Sequence, residues 1–320
     1  MSWISCLVNP PGEDPALLIS PLNSPASILI DCGDLRRLPM KELLRIRQVL
    51  ISHTHIDHFI GFDSLLRSQL FSSEPLTLYG PPGLAAQVGG KLAGYAWNLV
   101  DDSPFRVEVC ELHGPSLMRT TFWCRQRFVP NEPREEESWD SILPERIELR
   151  FAQVVHNVPC LAYRLTWPGE VRIDKQALKA IGRAPGPWLQ ELKQDPESNP
   201  ELAARLLIRQ PPRSLAYVTD TVWNKVSARA LLALCRGAEE LWCEACYVHS
   251  QLAKAREHLH LTARQAGRLA AEAGVGKLHL FHFSRRYPGG EAHLEEALQA
   301  FAATEPGRVY GDGPSRSPGA

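Results

Sequence analysis

No apolar run in this chain reaches the ~18 positions that a membrane-spanning helix needs, so no membrane partner is expected. Residues 1–11 lack a charged segment followed by an apolar one, so no export signal is read there and the expected location is cytoplasmic. Charge of one sign is missing too. Lys and Arg number 35 against 36 Asp and Glu, for a net charge of −1. That balance argues against a chain built mainly to coat a polyanion, while leaving room for a local basic patch. The eight cysteines are scattered, mostly within apolar runs such as that of Cys32 after ILID, Cys110 in VEVCEL and Cys160 in VPCLAY. Small thiols placed in this way read as buried residues of a reducing compartment. Cys243 and Cys246 form one Cys-x-x-Cys with no second pair, so packing is expected rather than a structural zinc or a redox couple. No internal repeat is present.

Apolar residues make up 44% of the 320 positions, enough to bury the core of one large domain, expected over about 1–310. Short β-type runs end again and again in polar residues. SILID ends in Asp31, QVLIS runs into His53, 151–155 into His156, SLAYVT into Asp220, and KLHLF into His282. Such runs read as buried strands, and chemistry-bearing groups at strand ends are how an α/β architecture assembles a site. Helical spacing of apolar residues is seen over 59–70 and, more clearly, over 263–273. There Thr262 is the expected N-cap, Gln265 completes a capping box and Gly274 is the stop. Alternating strands and helices predict a layered α/β fold. Two stretches leave the pattern. Residues 125–141, polar and acidic, predict a surface loop. Residues 174–212, with a helical start, a Pro-Gly-Pro turn and further helix, predict a projecting insertion. A disordered tail is expected at 311–320.

The centre of the sequence is His53-Thr54-His55-Ile56-Asp57-His58. Imidazole nitrogen and carboxylate oxygen are good zinc ligands. In a loop that starts at a strand end, His53 and His55 can point one way and Asp57 and His58 another, which would serve two ions. Further ligands are available at later strand ends: His156, Asp220 and His282. A structural zinc fits poorly, because such sites are usually closed and rich in thiolate, and none of these residues is a thiol.

This H-x-H-x-D-H pattern with a later His, Asp and His resembles the metallo-β-lactamase superfamily. The resemblance implies an αβ/βα four-layer sandwich with two zinc ions (manganese being the other metal considered) along one edge. It puts His53, His55 and His156 on the first ion, Asp57, His58 and His282 on the second, and Asp220 on both. Two such ions would hold a water between them and lower its pKa towards ~7. Within the superfamily four stretches resemble ribonuclease Z, which trims the 3′ end of precursor transfer RNA. They are His156 to Tyr163 (with Ala162 where glycine is usual), Tyr217 to Thr221, the pair His260-Leu-Thr-Ala263 and His282-Phe-Ser-Arg-Arg-Tyr287, and GRAPGPWLQELK within the insertion. By that resemblance Asp57, His260 and Glu244 are catalytic candidates, with His260 giving a proton to the leaving oxygen and Glu244 orienting it. Ser284 and Arg286 would bind the scissile phosphate. His249, His258, His279 and His293 read as ordinary.

The chain also departs from that family. Asn9-Pro-Pro-Gly12 and Asn23-Ser-Pro-Ala26 replace its glycine-rich turn and arginine-bearing segment. The insertion turns acidic and mixed after Lys193 (QDPESNPEL). The expected function is therefore a zinc phosphodiesterase acting on precursor transfer RNA, another RNA or a smaller phosphodiester. A homodimer is expected from the family's habit of pairing. A thioesterase or lactonase of the same fold, and a non-catalytic binding protein, are the alternatives.

Overall fold

The computed structural model describes residues 3–22, 24–100, 102–136, 143, 146–287, 289–302 and 308–310. The expected tail at 311–320 and the end of the expected loop, 137–141, lie outside them. Two large sheets face each other. The first holds β1 (Trp3–Leu7), β2 (Leu17–Pro21), β3 (Ser27–Ile30), β4 (Ile46–Leu50), β5 (Leu76–Gly80), β6 (Arg106–His113), β7 (Ser116–Trp123) and β8 (Arg134–Glu136) in chain order. Its centre, β3 to β6, is parallel. The loop expected over 125–141 thus gives up its 134–136 portion to an edge strand.

The second sheet runs β9 (Glu148–Val154), β10 (Cys160–Trp167), β13 (Arg213–Val218), β14 (Glu240–Glu244), β15 (Lys277–Phe281) and β16 (Arg308–Tyr310). Here β13 to β16 are parallel. Between β10 and β13, β11 (Val171–Ile173) and β12 (Leu207–Arg209) pair as a separate ribbon. The ribbon carries helices Lys175–Ala180, Trp188–Gln194 and Pro200–Leu206, and these close on their own small core of Leu192, Ala203 and Leu206. The insertion therefore starts at the ribbon, a few residues before 174.

Alternation along each strand explains the layering. In β3, Ile28 and Ile30 join the core between the sheets, while Leu29 joins the core under the helices. In β13, Leu215 and Tyr217 face inward, and Ala216 and Val218 face the second set of helices. Strands β3, β5 and β14 are buried throughout and β13 nearly so, and most of their residues are apolar. Helices Phe62–Gln69 and Leu84–Ala93 cover the first sheet, and Lys225–Cys235, Ala263–Ala273 and Glu291–Ala302 cover the second. The result is the αβ/βα sandwich.

One strand residue supplies a test of the core. His279 stacks on Trp242 at 4.2 Å between ring centroids. Burial, helped by the Lys277 charge, pushes its pKa down to about 4, although Glu240 lies 3.8 Å away. The unfolded chain takes up this proton near 6.5 and the folded chain near 4. The contribution to stability is therefore intact above 6.5 and lost as pH falls towards 4, by about 3 kcal/mol at most. His279→Phe should lose correspondingly less stability between pH 7 and pH 4 in urea titrations. Equal losses in the two proteins would contradict this account.

Candidate metal centre

The parallel strands of both sheets deliver their C-terminal ends to one edge. The first group comes from the loop after β4. His53 Nε2 lies 2.9 Å from His55 Nδ1, and His156 Nε2, beyond β9, lies 3.3 Å from the same atom. Asp220 Oδ2, beyond β13, lies 3.7 Å from both His53 Nε2 and His156 Nε2. The second group joins Asp57 Oδ2 to His58 Nε2 at 3.6 Å and to His282 Nε2 at 3.4 Å. The other oxygen of Asp220, Oδ1, lies 3.6 Å from His58 Nε2 and 3.1 Å from His282 Nδ1. One carboxylate thus turns an oxygen to each group.

These groups suit metal ions on two counts. Their donors are all nitrogen and oxygen, set close enough to converge on one point. His58 Nε2 is also fully buried and makes no hydrogen bond, although carboxylate oxygens lie near it. An orphaned polar atom in that position calls for a partner.

Electrostatics follow the same layout. Burial pushes the pKa of His53 down to about 2, with the His58 charge adding to it. Burial also lowers that of His156. Burial alone would raise the carboxyl pKa of Asp220, but the charges of His282, His58, His260 and His53 hold it well below its usual range. Burial opposes the charge on His282 as well, and there the carboxylates of Asp220, Asp57 and Glu244 win and raise it. The carboxyl of Asp57 is likewise held low against burial, by its hydrogen bond to His282 and the charge of His58.

Local structure fixes the loop. The His58 carbonyl accepts from the Cys32 amide at 2.8 Å, and the Cys32 carbonyl accepts from the Gly61 amide at 2.9 Å. A Cβ on Gly61 would sit 2.0 Å from the Gly33 carbonyl oxygen, so only glycine permits this approach. Because the Gly61 amide donates to Cys32 rather than back along the chain, the helix expected over 59–70 is found as Phe62–Gln69, with a separate turn of helix, Ile56–Phe59, before it. Asp31 and His282 both adopt left-handed backbone, with φ of 56° and 59°. Non-glycine residues held in this way cluster at functional sites.

Asp31 is the residue that sequence reasoning missed. Its fully buried carboxylate accepts from His58 Nδ1, the Ser52 hydroxyl and the Tyr217 hydroxyl, each at 2.8 Å, and from the Ser52 amide at 2.7 Å. The Ser52 oxygen lies 3.0 Å from His53 Nδ1. Because its own hydrogen goes to Asp31, it accepts the His53 proton. One carboxylate thereby orients an imidazole in each group and leaves the two Nε2 atoms turned towards the other donors, where a metal could take them. The available signal was the polar end of SILID. Asp31→Ala should weaken metal retention by ~10–100-fold, the usual cost of removing a hydrogen-bond partner behind a metal ligand. Metal content after dialysis against graded chelator measures this, and a variant that holds its ions as tightly as the parent would overturn the assignment.

Beside the second group, His260 Nδ1 lies 2.9 Å from Glu244 Oε2. Glu244 is fully buried at the end of β14, and its other oxygen accepts from the Thr221 amide at 2.9 Å and the Leu261 amide at 3.1 Å. Burial works against the charged imidazole of His260, but Glu244 and then Asp220 raise its pKa. The chain enters this residue through Leu259, another left-handed position at φ 58°. Ser284 and Arg286 follow His282 on the rim. The Ser284 amide donates to the Cys246 carbonyl at 3.0 Å, and Arg286 is exposed with its charge near Cys246. Among the described residues neither side chain hydrogen-bonds to the metal groups. The four histidines read as ordinary lie elsewhere, with His249 bonded to Thr262, His258 stacked on Tyr247 and His293 stacked on Phe283.

No protein-family model matches the sequence. Curated relatives do. A protein named ribonuclease Z from Deinococcus radiodurans is 32% identical over 299 residues, covering 89% of this chain and 90% of that protein. A ribonuclease BN from Escherichia coli is 30% identical over 300 residues, covering 87% and 85%. Solved structures of similar fold include a metallo-β-lactamase fold protein from Bacillus subtilis, with TM-score 0.56, 17% identity, and 95% of this chain and 94% of that one covered. The short form of human tRNase Z aligns with TM-score 0.51 and 20% identity, over 89% of this chain and 93% of that one. The chain belongs to the ribonuclease Z family and is a metal-dependent hydrolase on the metallo-β-lactamase fold.

Proposed function

We propose that this chain is a two-zinc phosphodiesterase that cuts RNA, with precursor transfer RNA as its substrate and the cytoplasm as its place of action. The observation that carries the reading is the division of Asp220 between two groups of donors. His53, His55 and His156 would hold one ion, Asp57, His58 and His282 the other, and Asp220 both. Zinc fits nitrogen and oxygen donors of this kind, and manganese is the substitute to try. Bound there, a pair of divalent ions supplies water acidified towards neutral pKa and positive charge for the attacked phosphate.

The chain's own residues do the rest. Glu244 holds the His260 ring by Nδ1, which leaves the opposite nitrogen to carry a proton to the departing 3′ oxygen. Ser284 and Arg286, on the rim next to His282, are assigned to the scissile phosphate, Arg286 through its forked donors. The insertion would hold the body of the RNA. Arg172, Lys175, Lys179, Arg183 and Lys193 line one concavity of about 1010 Å³ on it. Arg183 also sits over the Trp188 ring at 3.9 Å. Phosphate neutralisation by such a cluster gives affinity that falls steeply with salt. A homodimer, each insertion serving the partner's site, goes with this reading.

The test pairs metal analysis with two substrates. Protein shown to hold two ions per chain should turn over bis(p-nitrophenyl) phosphate and cut precursor transfer RNA near its 3′ end. Binding of that RNA should weaken as salt rises. Fully loaded protein inert on both substrates would sink the reading.

A further inference from the structure

We propose that Cys246, Glu244, His260 and His282 form a third cation site, selective for thiophilic divalent ions, and that filling it halts cleavage by taking His260 out of service. This rests on the reading of His260 as the proton donor. One ligand atom from each of the four residues lies within 4.8 Å of those of the other three. The two groups assigned to the working ions contain nitrogen and oxygen alone. This third group adds sulfur, and thiolate shifts preference towards zinc, cadmium and other soft ions. A mixed Cys, His and carboxylate set is a zinc-type donor set.

The chain holds these donors in place beforehand. Glu244 is fixed by the Thr221 and Leu261 amides, and it fixes His260 in turn. The Cys246 carbonyl is tied to the Ser284 amide on the segment that carries His282. Cys246 is a free thiol, 8% exposed, and it does not share the surroundings of Cys243. Cys243 packs among Leu241 and Leu280 under the helices, whereas Cys246 packs with Tyr247 and Tyr287 beside the site. The Cys-x-x-Cys of the sequence is therefore two separate thiols, each packed as expected but in a different neighbourhood.

Occupancy would have two consequences. The S–H bond of Cys246 breaks, its proton passes to solvent and a sulfur–metal bond forms, so uptake releases acid. A protonated His260 ring must likewise release a proton to solvent before a ring nitrogen can offer its lone pair to the ion, and the neutral, metal-bound ring has no acidic proton left to deliver. His282 is shared with the second working group, so the third ion also competes for that ligand.

The test uses the loaded protein with two ions per chain confirmed, titrated with cadmium. A thiolate-to-metal charge-transfer band should rise in the ultraviolet, to the short-wavelength side of the aromatic absorption, with one further equivalent, and precursor-RNA cleavage should fall by about tenfold or more in step with it. In Cys246→Ser and Cys246→Thr, each compared with itself before cadmium, the band should be absent and cleavage insensitive. Circular dichroism checks that both variants are folded. No band in the parent protein, or an equal band in both variants, overturns the site. A band without loss of cleavage overturns the braking role. A chain that cuts no RNA but shows the Cys246-dependent band would fail the functional reading while keeping the site.

Discussion

Asp220→Ala should lower phosphodiester turnover by more than ~10³-fold and leave fewer than two ions per chain. The lower bound comes from comparison. Removing a residue that merely orients a metal ligand costs ~10–100-fold, and Asp220 faces both donor groups itself. Its Oδ2 lies 3.7 Å from two imidazoles of the first group, and its Oδ1 lies 3.6 Å and 3.1 Å from two of the second. It is also the buried negative charge against which His282, His58, His260 and His53 are balanced. Without it no carboxylate faces both groups: Asp57 belongs to the second alone, and neutral imidazoles cannot offset the mutual repulsion of two divalent ions held close together. Asp220→Asn separates shape from charge. It should fold as the parent does, because the amide fills the same space, yet lose nearly as much turnover. Metal analysis and steady-state rates on the same samples decide the matter. If Asp220→Ala keeps two ions and loses less than about tenfold in rate, the two-group geometry is not the working site.

The parts of the site that could be read in the sequence are those written in local order. The run His53 to His58 is contiguous, so its candidacy as a donor cluster needs no tertiary knowledge. Asp220 and His282 were legible because buried parallel strands end where their apolar runs end, and those ends are polar, whereas His156 follows the antiparallel edge strand β9. The capping box of Thr262 and Gln265 and the left-handed Gly274 were equally local. Asp31 escaped because a polar residue after three apolar ones also reads as a strand stop. Its role appears only when Ser52 and Tyr217, the latter 186 residues away, close around it. The break at Gly61 escaped for the same reason, since helical spacing over 59–70 carries no trace of the Gly33 carbonyl pressed against it. The position of Cys246 beside Glu244, His260 and His282 is equally invisible in the sequence, because the two cysteines of one short pattern are turned by the fold to different neighbourhoods.

His260→Ala should lower precursor-RNA cleavage by ~10²–10⁴-fold, the usual worth of a positioned proton donor, and leave hydrolysis of bis(p-nitrophenyl) phosphate within about tenfold of the parent. The contrast lies in the leaving groups. A ribose 3′ oxygen departs as a strongly basic alkoxide and needs a proton as the bond breaks. A nitrophenolate is stable as an anion and needs none. The geometry suits the first task. Glu244 grips Nδ1 at 2.9 Å with one oxygen and is itself gripped through the other, so the ring cannot turn. Against the effect of burial, that same carboxylate, with Asp220 behind it, raises the pKa of the imidazole. A raised pKa keeps the ring protonated to higher pH, so RNA cleavage should fall as pH climbs through it, and the nitrophenyl ester should show no such limb. Glu244→Gln should reproduce the same split between substrates, because the amide keeps the volume but gives up the charge that favours the protonated ring. Metal content should stay at the parent's value in both variants, since neither residue belongs to the groups assigned to the working ions. If His260→Ala slows both substrates equally, or sheds metal, then His260 serves the metals or the fold, and proton delivery must be sought elsewhere on the rim.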